Sequence, residues 1–174
     1  MKYDGTVLCK PDFCFFETEQ ATECKTNGCG ECKQIEWRNM TESFVVKLPA
    51  PLHPGWNMTW RATQQVIGNG RLAIMFGEHL RMEIMFQNAL DYSVSLHVLD
   101  DGSMANKVNI TGKLKQGDTL EVNVAMAYNL FQVMVKGNPR KPTFDGTEFS
   151  LISKRLTEVS FSGSIPTKSL KVMY

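Results

Sequence analysis

A chain of 174 residues with 19 basic and 18 acidic side chains has a formal charge of +1, which gives neither nucleic acid nor an anionic membrane an electrostatic footprint to bind. No apolar run approaches the roughly 20 residues of a membrane helix, and the first residues lack the apolar core of a secretory signal. The length suits one sizeable core, or one domain with a small appendage.

The appendage comes first. All five cysteines, Cys9, Cys14, Cys24, Cys29 and Cys32, fall within the first 33 residues. Residues 1–42 are rich in Cys, Thr, Glu and Lys and poor in aliphatic side chains, so a covalent or coordinative tie has to order them. A disulfide framework is the first candidate, with the odd thiol left over or linked to another chain. Zinc is the second, because Cys29 and Cys32 have the spacing of a metal knuckle, but the other spacings are irregular and no second close pair answers the first. A redox pair is the weakest reading: it should open a helix after a strand, and the Gly-rich flanks offer neither. Disulfides without a metal or cofactor are therefore the expectation. Asn39, Asn57 and Asn109 each have a Thr two residues on, and these sequons are used only in a secretory pathway. Together with the cysteines they point to a secreted or extracellular glycoprotein whose signal is missing from this chain.

From Ser43 onward, strand signals follow one another and no helical period competes. Phe44, Val46 and Leu48 alternate until Pro49 and Pro51 stop them, and a second strand is expected over residues 56–66. Asn69 with Gly70 marks a tight turn. Leu72, Ile74 and Phe76 form one arm of a hairpin, and Leu80, Met82, Ile84 and Phe86 the other, with Gly77 and His79 in the turn. After a connection at residues 88–91, Val94, Leu96 and Val98 face inward while Ser93, Ser95 and His97 face outward. Val108 and Ile110 predict a short strand.

The clearest hairpin spans residues 112–137: Leu120, Val122, Val124 and Met126 alternate with polar neighbours, and Phe131, Val133 and Val135 return. Three closing segments are expected at residues 149–152, 156–162 and 169–174. About ten short strands at hairpin spacing indicate an all-β, two-sheet antiparallel sandwich. In such a sandwich Trp56 and Trp60, four apart on one side of a strand, are expected to pack the core; the alternative is an exposed aromatic pair that stacks on sugar rings. Met75, Met82, Met85, Met126 and Met134 pack sheet faces.

Residues 43–174, read in this order, resemble the galectin family of β-galactoside-binding lectins. The likeness lies in the SFVVKLPAPLHPGWNMTW opening, in YSVSLHV, in KLKQGDTLEVNV, in LFQVMVKGN and in the closing RLTEVSFSGSIPTKSLKVMY. It implies a jelly-roll sandwich of concanavalin A-like type over residues 43–174, preceded by a Cys-rich extension over residues 1–42. It also implies a sugar site in which a Trp stacks on galactose and polar side chains hold its hydroxyls.

The matching positions depart from that site. His97 stands where the family's first sugar-binding histidine does, but Leu99, Asp100 and Asp101 replace the Asn, Pro and Arg that follow it, and no Trp occurs after Trp60. The stretch between Asp101 and Leu114 is too short for two further site strands. Asn106 and Asn109 are the remaining candidates beside His97, and a glycan on Asn109 would obstruct the same face. Asp91, Asp100 and Asp101 suit turns better than calcium.

The expected function is a non-catalytic carbohydrate-binding module with a degenerate galactoside site. Its partners would be glycans or glycoproteins, with a protein partner or a second copy as a further possibility. The alternative is a galectin-fold interaction or structural module that has lost sugar binding. An enzyme has little to work with: His53, His79 and His97 are the only histidines, and no nucleophile elbow or metal-spaced pair occurs.

Overall fold

A computed structural model describes residues 7–8, 15–16, 34–40, 43–48, 51–52, 54–62, 69–100, 103–127, 130–145 and 156–173. The five cysteines, His53, Asp101 and the strand expected at 149–152 lie outside the described residues.

Wherever apolar residues alternate, every second side chain of an extended strand falls on one face, and burying that face against a second sheet closes the fold. Two six-stranded antiparallel sheets do this. The first sheet runs through β12 (Thr143–Asp145), β11 (Leu130–Val135), β10 (Glu121–Ala127), β5 (Asn57–Ala62), β14 (Thr167–Met173) and β3 (Gln34–Met40). The second runs through β4 (Phe44–Lys47), β13 (Glu158–Gly163), β6 (Gly70–Phe76), β7 (Leu80–Phe86), β8 (Asp91–Asp100) and β9 (Ser103–Lys113). A separate pair joins β1 (Val7–Leu8) to β2 (Phe15–Phe16). There is no helix among the described residues.

The core is the space between the two inner faces. Met58, Trp60, Val122, Val124, Phe131 and Leu170 of the first sheet, with Ile74, Leu80, Met82, Ile84, Val94 and Ile110 of the second, are buried. Each such side chain contributes roughly 1.5–3 kcal/mol on leaving water. Trp56 bridges the layers, with its ring centroid 5.9 Å from that of Phe76 and 6.0 Å, edge-on, from that of Phe131. Both expected core tryptophans are therefore core. Trp60 Nε1 donates to Thr167 Oγ1 at 2.9 Å inside the sandwich. Of the methionines, Met82 and Met126 face inward, whereas Met75, Met85 and Met134 stand on outer faces.

The strand expected over 56–66 is described as β5 over Asn57–Ala62, and residues 63–66 lie outside the described residues. Two expectations shift. The short strand around Val108 is eleven residues long, because β9 pairs with β8 along its whole length. The sandwich also does not begin at residue 43: β3 lies inside the segment read as the extension, pairs with β14 and buries Trp37 and Met40. The composition of residues 1–42 hides this strand because its apolar residues Ile35, Trp37 and Met40 stand among polar and charged neighbours.

The turn that launches β10 uses Gly117 at φ +88°, a conformation that favours glycine, with Asp118 N donating to Lys115 O at 3.0 Å.

Candidate functional site

The inner face of the second sheet is spent on the core, so its chemistry lies on the outer face. Along β7 the outward residues are Arg81, Glu83 and Met85, and along β8 they are Ser93, Ser95 and His97. The connection at 87–90 sets which of these meet: Asn88 Oδ1 accepts from Leu90 N at 2.9 Å and from Asp91 N at 2.8 Å, and Gln87 N donates to Asp91 O at 3.0 Å. With that turn closed, Arg81 falls opposite His97 and Glu83 opposite Ser95. The next ladder puts Asn109 opposite Ser95 and, across a bulge after Leu96, Asn106 opposite His97.

Glu83 is the centre of an ion network. Its Oε1 lies 2.9 Å from Arg71 Nη2, reaching over from β6, and 2.5 Å from Arg81 Nη2. Glu83 is only 9% exposed and His97 only 7%. Burial pushes the Glu83 carboxyl up, but the Arg71 hydrogen bond and the charges of Arg81, Arg71 and His97 outweigh it and hold the group below the ordinary carboxylate value.

His97 Nε2 lies 3.0 Å from Ser95 Oγ. Its Nδ1 is buried with no partner, and so is Arg81 Nε, among the described residues. Buried polar atoms are nearly always paired, so two orphans on one cross-strand pair are unusual; a third, Trp56 Nε1, lies in the core. Glu83 is engaged by two arginines and does not hold His97 Nδ1.

No tryptophan reaches this face, since Trp37, Trp56 and Trp60 are 8%, 1% and 0% exposed. Of the expected site residues, the structure brings the backbones of His97, Asn106 and Asn109 onto adjacent strands, with the Asn109 side chain exposed. Sequence reasoning missed Arg71, Arg81 and Glu83. The available signal was the polar alternation of β7 combined with the short connection to the histidine strand.

The other candidates disperse. Asn57 stands on the outer face of the first sheet, where Asn123 Nδ2 donates to Asn57 Oδ1 at 3.4 Å and to Thr59 Oγ1 at 3.0 Å. Asn39 lies on β3. Asp91 pairs with Lys113 at 3.8 Å, Asp100 ends β8, and His79 sits in the turn between β6 and β7. A groove of about 760 Å³ crosses the outer face of the first sheet, lined by Glu36, Arg38, Arg61, Glu121, Lys136 and Lys168 among others. Within it Arg38 pairs with Glu36 at 3.0 Å and Arg61 with Glu121 at 2.6 Å.

No family model matches the sequence, and no curated protein does. Solved structures do. Sheep galectin-11 in complex with glycerol is similar at a TM-score of 0.55 and 16% identity, over 77% of this chain and 99% of that one. The Caenorhabditis elegans galectin LEC-6 is similar at 0.54 and 11%, over 80% and 96%. The CBM2 module of the evolved Dit of Lactobacillus casei BL23 phage J-1 is similar at 0.52 and 10%, over 79% and 75%. At these identities the likeness establishes the fold, a galectin-like sandwich, and leaves the chemistry to the residues themselves.

Proposed function

We propose that the protein is a non-catalytic glycan-binding module that holds its ligand on the outer face of the second sheet. Arg81, Glu83 and His97 form the centre of the site, with Asn106 and Asn109 on the flanking strand. The observation that carries this reading is the pair of nine-tenths buried polar side chains, Glu83 and His97, set among arginines on an outward sheet face. Both groups are polar, face outward from the sheet and are held by ion pairs and a short polar contact rather than by the core. The galectin-like fold supports the class of ligand.

The site differs from the one that the family resemblance implies. Among the described residues only β9 lies beyond β8 in this sheet, so the three site strands are β7, β8 and β9 rather than the strand of His97 and two later ones. The cations come from before His97 in the chain, not after it.

With no tryptophan to stack on a sugar ring, lactose binding is weak, with a Kd above about 1 mM. The same missing platform favours the second reading, a galectin-type sandwich that contacts protein instead of sugar. In both readings residues 1–42 carry the disulfides, the odd cysteine is available to a second chain, and the protein is extracellular.

The test is a glycan array with isothermal titration of any hit, comparing the protein with His97→Ala and Arg81→Gln. Binding lost in both variants supports the site. Binding indifferent to both removes the ligand from this face, and a blank array leaves the protein-contact reading.

A further inference from the structure

We infer that the ligand of this face is an acidic glycan, a sugar carrying a carboxylate or a sulfate ester, rather than a neutral galactoside. The inference rests on the glycan-binding reading and deepens it.

The charge of the cluster is the first argument. Arg71 and Arg81 share a single carboxylate, and both ion pairs go to the same oxygen, Glu83 Oε1. One positive charge is therefore in surplus. Among the described residues, the rows that cross Arg71, Arg81 and Glu83 hold no second carboxylate: Met85, Ser93, Ala73, Ser95, Met75 and His97 stand there. Asp91 of β8 pairs with Lys113 at 3.8 Å.

Unspent donors are the second argument. A guanidinium carries five N–H groups in a fixed planar fork that fits a carboxylate or sulfate with two parallel bonds. Each arginine spends one terminal nitrogen on Glu83. The Arg71 side chain is 61% exposed and that of Arg81 33%, so the remaining donors of Arg71 above all are open to a ligand. A neutral hydroxyl answers one such donor, whereas an anion answers two and cancels the surplus charge. Glu83 works in the same direction: it holds the two forks in place while leaving them a net positive pair.

The third argument is what the face lacks. A neutral galactoside draws much of its grip from an aromatic platform, and every tryptophan of the chain is in the core. Charge-assisted bonds are what remains to give a sugar affinity here.

The experiment titrates the full chain with lactose, 3′-sialyllactose and 3′-O-sulfolactose at low and at roughly physiological salt. The acidic sugars should bind at least about tenfold tighter than lactose, and the advantage should shrink as salt rises. In Arg71→Gln the ratio of acidic to neutral affinity should collapse towards one, and in Arg71→Lys most of it should survive. Thermal melts confirm that both variants are folded; the backbone bonds of Arg71 to Ser164 are not touched by either. Lactose bound as well as its acidic derivatives, or an acidic advantage that persists in Arg71→Gln, overturns the inference and leaves the glycan-binding reading standing. No binding of any of the three sugars, with a blank array, overturns both.

Discussion

Arg81 lies directly across the ladder between β7 and β8 from His97, and each contributes one buried atom without a partner, Nε and Nδ1. Two positions along, Glu83 faces Ser95, which lies 3.0 Å from the same imidazole. The candidate site is thus two adjacent rows of one hairpin, and its electrostatics are governed by Glu83.

Glu83 should leave a signature in acid. Its folded carboxyl titrates below the unfolded value of about 4.3, so the stability it contributes is complete above that pH and is lost as pH falls through the lower folded value. Glu83→Gln should cost about 1 kcal/mol at neutral pH, limited because both arginines reach solvent. It should also flatten the fall of Tm between about pH 5 and 3. An acid limb identical to that of the unsubstituted protein in thermal melts would remove Glu83 from this role.

Gly163 closes β13 at φ +148°, where a Cβ would press into the carbonyl oxygen of Arg71 and lie 2.8 Å from Leu72 Cα. The obstacle is backbone, which cannot rotate away. Gly163→Ala should therefore destabilise by about 2–4 kcal/mol, a Tm loss of roughly 5–12 °C. It should also loosen the bond that Ser164 N donates to Arg71 O, 2.8 Å long in the unsubstituted chain. A melt unchanged within about 2 °C would mean that β13 leaves β6 by another path.

Inside the core, Thr167 is 1% exposed and accepts from Trp60 Nε1 at 2.9 Å. Thr167→Val keeps the shape but strands a buried indole N–H, at a cost of about 1–3 kcal/mol. Adding Trp60→Phe removes the stranded donor, so the double variant should lose less than the sum of the two singles. Urea unfolding of the four proteins gives the coupling. Strict additivity would show that the hydrogen bond contributes nothing.

Asn109 is exposed, and its β8 register partner is Ser95. A glycan attached there would stand on the same face as His97. Protein from a secretory host, shown by intact mass to carry that glycan, should bind its ligand more weakly than the Thr111→Ala variant from the same host, which keeps Asn109 but lacks the sequon. Equal binding by a fully glycosylated chain would place the ligand elsewhere.

The closing elements show how far local reading reaches. The hairpin of β10 and β11, the hairpin of β6 and β7 and the outward position of His97 were all legible, because a period of two and a turn residue are properties of a few consecutive side chains. The strand β3 was not legible. Its neighbours 1–33 hold every cysteine, and that composition masked a strand that depends on β14, more than a hundred residues away, for its pairing.

The amino-acid sequence by itself determined the fold class, the inward-facing core, the burial of Trp56 and Trp60 and the loss of a stacking tryptophan beyond residue 60. Which outward residues become neighbours was decided only by the tertiary structure. Alternation tells which face a side chain takes, but register and sheet order decide what stands beside it. These come from strand pairing that sets Arg81 opposite His97 and Glu83 opposite Ser95, with Arg71 reaching Glu83 from β6. An arginine stands beside His97 from the strand before it, because neighbouring strands of an antiparallel sheet present side chains to one face whichever comes first in the chain.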